Sequence, residues 1–324
     1  MNWISQLITK IPALSRLRDS RPFYLTLVIG LNVLLLLAIA PTFLNPSNFL
    51  YMFRYAGILG LIGIAETLII LAGGGGIDLS IGSMLSLLGV LHYILAASAD
   101  IWVAMILVLP LGMLLGALNG TLTTWVGIPP FIATLATMFA FSGLALGLTG
   151  GSVLSGALPS WFGVIGQGDL FGVPIQFLVL LGLFLPVGFI LQRTSLGKYI
   201  YAIGDNEEAA RLLGISPSRI RFYLYMFNGF IAAIAAIMMN SWLLTARPDA
   251  GSGYELQGIA IAVLGGVDIF GGSGTLSGAL IATIAIILLQ TGMQFININP
   301  VWQLGAVGLL LVTVTLANQL FKQK

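Results

Sequence analysis

The stretch GGGGIDLSIGS at residues 73–83 decides how this chain folds, and it lies between two long apolar runs. Each glycine in a helix interior costs about 1 kcal/mol relative to alanine, so four in succession predict that the helix ends there. Unwound backbone at membrane depth is tolerated only where it is buried in protein or lines a water-filled cavity. Asp78, Ser80 and Ser83 are therefore candidates for lining a path, and Asp78 and Ser80 can also cap the next helix.

Apolar runs continue along the rest of the chain. Of its 324 residues, 58% are hydrophobic and only 7% are charged, whereas about a quarter of residues are charged in soluble domains. At about 20 residues per crossing, this length holds about ten spans and no separate soluble domain. We predict an all-α polytopic membrane protein with one transmembrane domain over residues 1–324. The predicted apolar segments are 23–41, 50–72, 81–98, 101–120, 131–149, 174–192, 222–246, 256–267, 275–294 and 301–318.

Two features predict broken or re-entrant helices and an internal duplication. The eighth apolar segment, 256–267, is too short to cross a hydrocarbon core of about 30 Å. The stretch GGVDIFGGS at 265–273 repeats the pattern of GGIDLSIGS at 75–83, although a short glycine-rich match can arise by chance. Duplicated transporter halves often place their broken helices together near the bilayer midplane. Asp268 is thus a second path candidate, unless Asp78 and Asp268 only cap helices at the cytoplasmic edge.

Basic residues predict the orientation in the membrane. They cluster in the N-terminal residues 10–21, in the segment 193–221 and at the C-terminal end, and cytoplasmic loops carry an excess of Lys and Arg. We predict that all three regions, and so both termini, are cytoplasmic, and that residues 150–172 lie outside. The net charge of +2, spread over scattered basic residues, excludes a nucleic-acid surface.

Glu66 lies deep in an apolar run. An ionised acid there costs at least about 3 kcal/mol unless it is paired, hydrated or protonated. Arg54 and His92 are its candidate partners. The pair could belong to a transport site or could be a structural ion pair between helices.

Further polar side chains occur within other apolar runs. Asn119 is one, and Thr134, Thr137 and Phe141 form a stripe on one face of a predicted helix. Hydroxyl and amide groups beside an aromatic face suit a sugar path. The alternative is that these groups only join helices together.

The segment YAIGDNEEAARLLG at 201–214 carries the signature of a short helix. Asp205 can cap it, Glu208 can reciprocate three residues later, and Gly214 can end it. The helix would have about eight residues and would be marginal alone in water, so it needs a partner surface.

The apolar face of that short helix indicates what kind of surface it could contact. Ala209, Leu212 and Leu213 would share one face and could insert into a groove of another protein, or pack under the chain's own bundle. Ser216 can cap the next long helix and Pro217 can occupy its first turn. The docking element, within the cytoplasmic segment 193–221, would thus be rigidly joined to a membrane span.

The chain shows no signature of catalysis. Its Gly197-Lys198 pair is followed by Tyr199 and lacks the upstream glycine of a phosphate-binding loop, so we do not expect this chain to hydrolyse ATP. A single histidine, the absence of cysteine and the lack of a clustered acid-base or metal-ligand pattern argue against an enzyme and a metal site.

Three segments, 75–83, 201–214 and 264–274, occur in an order that resembles the permease subunits of ribose-type ABC importers. The resemblance covers nearly the whole chain, and that family also serves xylose, galactose, allose and related solutes. It implies a permease of a bacterial or archaeal inner membrane that takes up a sugar or similar small polar solute by alternating access. The chain departs from the family at Asp205, where glycine is frequent, and at residues 268–270, where a less acidic stretch is common.

The resemblance also implies partners. A cytoplasmic ABC ATPase would bind ATP and Mg²⁺, so this chain would hold no cofactor. A second permease chain, identical or paralogous, would complete the pathway, and an extracytoplasmic solute-binding protein would deliver the solute. The implied ATPase-coupling residues are Gly204, Asp205, Asn206, Glu207, Glu208, Ala209, Ala210, Arg211 and Gly214.

A different class of transporter stays open on the residues alone. In an ion-coupled secondary transporter, Glu66, Asp78 or Asp268 would bind a proton or a sodium ion near a broken helix. Such a protein would need no ATPase.

Overall fold

The structure is a computed structural model and describes residues 29–30, 33–34 and 45–322. Helices dominate the described part of the chain. Their bounds are α1 Pro46–Leu71, α2 Ile81–Ser98, α3 Ile101–Thr124, α4 Pro130–Thr149, α5 Gly163–Gln167, α6 Ile175–Arg193, α7 Ser195–Asp205, α8 Glu207–Leu212, α9 Pro217–Leu243, α10 Tyr254–Leu264, α11 Leu276–Phe295 and α12 Pro300–Lys322. A 3-10 turn covers Ser160–Phe162.

Seven of these helices, α1, α2, α3, α4, α6, α9 and α11, are long and apolar enough to cross a membrane. The prediction of a helical polytopic membrane protein is therefore confirmed. The predicted segment 256–267 corresponds to α10, whose 11 residues are too few to cross. The predicted first span, 23–41, and the basic residues before it lie outside the described residues, apart from helical residues 29–30 and 33–34.

Helix α1 forms the centre of the bundle. In its most apolar window 89% of residues are buried, against 22% for α6. It packs against α6, α9, α10 and α11. A helix that is apolar all round and covered by protein belongs to the interior of a bundle, whereas α3, α4 and α6 keep a broad apolar face for lipid or for another chain.

Helices α3 and α9 cross at a contact between small residues. A Cβ atom on Gly229 would overlap the carbonyl of Gly112, and one on Gly116 would overlap the carbonyl of Tyr225. Glycine lets the two backbones touch, which is how helices gain packing energy in a membrane. This crossing fixes α3 against α9 and so positions the polar residues that α3 carries.

The predicted helix break is present between α1 and α2. Gly73, Gly74 and Gly75 all have positive φ angles, near 66–69°, which cost glycine little and other residues more. The chain folds back, and the Asp78 amide donates a hydrogen bond of 3.4 Å to Glu66 Oε2. Glu66 is five residues before the end of α1, or about 7.5 Å along its axis. Helix α2 therefore starts inside the bundle.

A second re-entrant segment precedes α10. After α9, strand β4 (Thr245–Ala246) pairs antiparallel with β1 (Leu154–Ser155), and the chain then returns into the bundle. The Gly251 amide donates to Ser86 Oγ at 2.8 Å, and Gly251 packs against Gly82 in the first turn of α2. The starts of the two interrupted helices are thus close together. Strands β2 (Asp169–Leu170) and β3 (Val173–Pro174) form a separate hairpin before α6.

The α3–α9 contact predicts a sharp response to one methyl group. We expect Gly229→Ala to lower the midpoint of thermal unfolding in detergent, because overpacking a tight contact costs about 1–3 kcal/mol. Gly147→Ala is the matched control, since Gly147 is also helical but has open space around its Cβ position. Gly147→Ala should leave the midpoint of thermal unfolding unchanged or raise it. Equal midpoints for the two variants would contradict this account of the crossing.

Candidate functional site

A buried polar network surrounds the first helix break. Asp78 Oδ1 accepts hydrogen bonds from the Ser80 amide at 3.0 Å and the Ser80 hydroxyl at 2.7 Å. Asn119 Nδ2, on α3, donates to Ser80 Oγ at 2.6 Å and lies 3.5 Å from Asp78 Oδ1. Ser83 Oγ donates to the Ser80 carbonyl at 2.8 Å. Asp78, Ser80 and Asn119 are fully buried, so the break is held together in the interior.

Helix α4 joins the same network. Thr137 Oγ1 donates to Asn119 Oδ1 at 2.7 Å, and Thr134 Oγ1 donates to the Ile77 carbonyl in the break at 3.2 Å. Phe141, one turn further along, is buried as well. The predicted stripe on α4 therefore faces the interior, where its two hydroxyl groups connect α4 to α3 and to the break.

Glu66 is fully buried, but neither predicted partner is correct. Its Oε2 accepts the Asp78 amide. Arg54 is twelve residues away on the same helix, or about 18 Å, and donates to the Gln167 carbonyl. His92 lies near the far end of α2, where its Nδ1 is 3.2 Å from Asn240 Nδ2. Both side chains contact groups at the opposite end of the bundle.

Asp268 lies in the second glycine-rich stretch, between α10 and α11. Its Oδ1 accepts the Phe270 amide at 3.1 Å, the same turn that Asp78 makes with the Ser80 amide. It is partly exposed. The interpretation of Asp268 as a cap was wrong, because Thr275 caps α11 through a bond of 3.1 Å from the Gly278 amide.

The predicted cytoplasmic helix is present as α8, but its cap differs from the prediction. Asp205 ends α7, and Asn206 Oδ1 accepts the Ala209 amide at 2.9 Å. The chain turns to an extended conformation at Asn206, so the cap falls one residue later than predicted and Glu208 is not three residues from it. The helix has six residues. Gly214 ends it with a φ of 79°, as predicted.

The apolar face of α8 is open. Leu212 and Leu213 are 85% and 79% exposed, and Ala209 is exposed too. The neighbouring Ala210 is buried. The alternative that the predicted face packs under its own bundle is wrong for these three residues, which remain available to another protein.

An arginine clamp ties α8 to the end of α1. Arg221, in α9, forms an ion pair of 2.6 Å with Glu207 of α8, and its Nε and Nη2 donate to the Ala72 carbonyl at 3.1 and 3.0 Å. Arg211 also pairs with Glu207 at 2.6 Å. Partial burial acts to raise the pKa of Glu207, but the hydrogen bonds and charges of Arg221 and Arg211 outweigh it and hold that pKa below its ordinary value.

Close backbone contacts reinforce the arginine clamp. A Cβ atom on Gly204, at the end of α7, would overlap the Leu71 carbonyl and the Gly272 amide. The Gly272 amide donates to the Leu71 carbonyl at 3.0 Å, and Gly271 packs on Gly73. The two glycine-rich stretches therefore meet at the base of the docking helix. The sequence placed Arg221 only among the orientation charges, and no pattern around it indicated this contact.

A cavity of about 280 Å³ lies beside the clamp. It reaches from α8 to the glycines of the first break. Its lining includes Gly74, Thr123, Pro130, Glu207, Arg221 and Tyr225. The glycine-rich break therefore borders free space on this side.

Comparison with known proteins bears on which class of transporter this is. A family model described as the permease component of the branched-chain amino acid transport system matches residues 48–315. The chain belongs to this family. The ribose import permease protein RbsC of Bacillus subtilis (strain 168) is 36% identical, and the match covers 90% of this chain and 91% of that protein.

Other relatives are sugar permeases as well. The RbsC protein of Escherichia coli (strain K12) is 34% identical over 82% of this chain and 84% of its own length. The xylose transport system permease protein XylH of the same strain is 32% identical over 86% of each chain. No solved structure matches the chain. The protein is thus a ribose-type ABC permease, and the ion-coupled alternative gains no support.

The buried network of this permease predicts a difference between two threonines of α4. Thr137→Val removes a donor from Asn119 and leaves a buried amide oxygen without its partner, which costs about 1–3 kcal/mol. Thr149→Val makes the same change where the hydroxyl bonds only carbonyls of its own helix, Ala145 and Leu146. We expect a lower unfolding midpoint for Thr137→Val alone. Equal shifts in the two variants would show that the interhelical bond contributes little.

Proposed function

We propose that this permease takes up a sugar or a similar small polar solute by alternating access, as a subunit of an ATP-driven importer of the bacterial or archaeal inner membrane. The open apolar face of α8 supports this most directly, because a short helix with two exposed leucines is suited to insert into another protein. The names of the relatives, which include ribose and xylose permeases, support a sugar as solute.

The importer would contain several subunits. A cytoplasmic ABC ATPase would bind ATP and Mg²⁺ and receive the coupling residues 204–214, so that hydrolysis takes place outside this chain. A second permease, identical or paralogous, would cover the apolar faces of α3, α4 or α6. An extracytoplasmic protein would bring the solute to the opposite end of the bundle, where β1 and β4 pair.

We further propose ten membrane segments with both termini cytoplasmic. The seven long apolar helices, α10, α12 and the predicted segment 23–41 make up these ten. An internal duplication is supported by the matching turns of Asp78 and Asp268, and by the contact of the two glycine-rich stretches through Gly73 and Gly271.

The solute pathway would run beside the first break. We propose that its wall includes the predicted path residues, either directly or because they hold the broken helices that border it. In the described conformation most of them are buried, so the pathway would be closed at this level. The residues are Glu66, Asp78, Ser80, Ser83, Asn119, Thr134, Thr137, Phe141 and Asp268.

Coupling would proceed through the arginine clamp. When ATP binding draws two ATPase subunits together, each would pull on its α8. Glu207, Arg221 and the Ala72 carbonyl form a continuous connection from α8 to the break. Since glycine backbone bends at low cost, the displacement would reach the broken helices and shift the balance between outward and inward states.

The docking assignment can be tested with a pair of arginine substitutions. Ala209→Arg places a charge on the open face of α8, and we expect the ATPase encoded beside the permease to be lost on co-purification, by about tenfold or more, since burying an unpaired charge is costly. Ser195→Arg, on the exposed start of α7, should retain the ATPase. Retention by both variants, with normal ATP-dependent uptake, would overturn the assignment.

The clamp predicts uncoupling without loss of assembly. Arg221→Gln removes the ion pair with Glu207, whereas Arg219→Gln changes an exposed arginine of the same helix turn. In proteoliposomes, we expect the complex that contains Arg221→Gln to keep the ATP hydrolysis of its ATPase subunit but to lose most of its solute uptake per ATP hydrolysed. The Arg219→Gln complex should behave as the unmodified one. Unchanged uptake per ATP in Arg221→Gln would show that the clamp does not transmit movement.

A further inference from the structure

The cavity of about 280 Å³ beside the arginine clamp has room for a small ligand. A water molecule takes about 30 Å³ in the liquid, and pockets for small molecules begin at about 300 Å³. The size therefore suits a compact ligand and not a large one. The groups on the cavity wall decide its chemistry.

The charged side chains on that wall carry a net positive charge. Among the described residues they are Arg211, Arg221 and Glu207, so two positive charges and one negative charge leave +1. Glu207 Oε1 pairs with Arg211 and its Oε2 with Arg221, both at 2.6 Å. The Arg211 side chain is 61% exposed and bonds Glu207 through Nη2. Its other N–H groups are open to a ligand.

Two long helices begin at the same cavity, and neither start is capped by a side chain. Pro130 opens α4, and its N-cap residue Pro129 makes no side-chain hydrogen bond. Ser218 lies in the first turn of α9, where the Ser216 side chain makes no cap bond either. The first amides of a helix lack partners within it and carry partial positive charge. Both helices therefore present donors at the wall of the cavity.

The ends of α1 and α3, which carry partial negative charge, also border the cavity. Their carbonyls are engaged in part. The Ala72 carbonyl accepts Arg221, and the Thr121 and Leu122 carbonyls accept amides of the turn that follows α3. Open donors and a net positive charge thus remain, and water in the cavity would leave that charge in place. An anion with several oxygen atoms would match both.

We propose that this cavity binds one small anion of the phosphate class, either inorganic phosphate or the phosphate ester of a small polyol. Arg211 and the starts of α4 and α9 are its donors, since guanidinium groups and helix N-termini are common phosphate-binding groups. The hydroxyls of Thr123 and Thr124 line the cavity and donate to carbonyls of their own helix, so their oxygens can accept a hydroxyl of the ester. The anion shares Arg211 with Glu207, which links its binding to the arginine clamp.

Equilibrium binding of radiolabelled phosphate tests the site on the purified full chain in detergent, at one pH and at constant ionic strength in sodium chloride. The measurement needs neither the ATPase nor the solute, so its result is independent of the proposed function. We expect saturable binding of one phosphate per chain that unlabelled phosphate displaces and ribose does not. Displacement by ribose phosphate at a lower concentration than by phosphate would identify an ester as the occupant, and at a higher concentration the free anion. Absence of saturable binding would overturn the proposal.

A pair of arginine variants localises the anion. Arg211→Gln removes a charged donor from the cavity, and we expect the affinity for phosphate to fall by about tenfold or more. Arg219→Gln makes the same charge change at an exposed position outside the cavity wall. It should keep the affinity within about twofold, because salt screens exposed charges. Equal losses in the two variants would indicate a general response to charge and refute this site.

A pair of glutamate variants tests the competition for Arg211. Glu207→Gln removes the competing carboxylate, so we expect phosphate to bind about threefold more tightly or better. Glu208→Gln removes the same charge from an exposed position of the same helix, outside the cavity wall, and should change the affinity little. No gain in Glu207→Gln, or an equal gain in both variants, would contradict the shared use of Arg211. If Glu207→Gln does not fold, the arginine pair decides.

Discussion

A backbone group left unpaired in hydrocarbon costs several kcal/mol, and this constraint shapes the whole molecule. Where α1 ends, its last carbonyls have no partner within the helix. The Leu71 carbonyl accepts the Gly272 amide, and the Ala72 carbonyl accepts Arg221. The second glycine-rich stretch and the start of α9 must therefore lie under α1. Because α8 is joined to α9 by a short turn, the same requirement fixes the docking helix beside the break.

The long helices could be predicted from the sequence because a membrane-spanning helix is a continuous run of apolar residues, which is a property of local composition. Every predicted apolar segment that falls in the described residues matches a helix, and the short eighth segment correctly indicated a helix that cannot cross. The break at residues 73–83 followed from four glycines, whose cost in a helix is a local property. The exposed face of α8 also followed from helical periodicity within one short segment.

Contacts between distant segments could not be predicted in the same way. Glu66 was assigned Arg54 or His92 because a buried acid is expected to find a base, but the chain folded back and offered an amide instead. The Asn206 cap depended on where α7 ended, which tertiary packing at Gly204 decided. The role of Arg221 depends on where α9 meets the end of α1 and α8, and no pattern within one segment shows that.

The two leucines at the end of α8 also affect the chain before it is assembled. Leu212 and Leu213 are held in water by a helix too short to bury them against its own bundle. Each would gain about 1.5–3 kcal/mol on being covered. An orphan copy thus displays the kind of surface that chaperones and proteases recognise. Covering this face would therefore improve the solvation of the chain as well as its attachment to a partner.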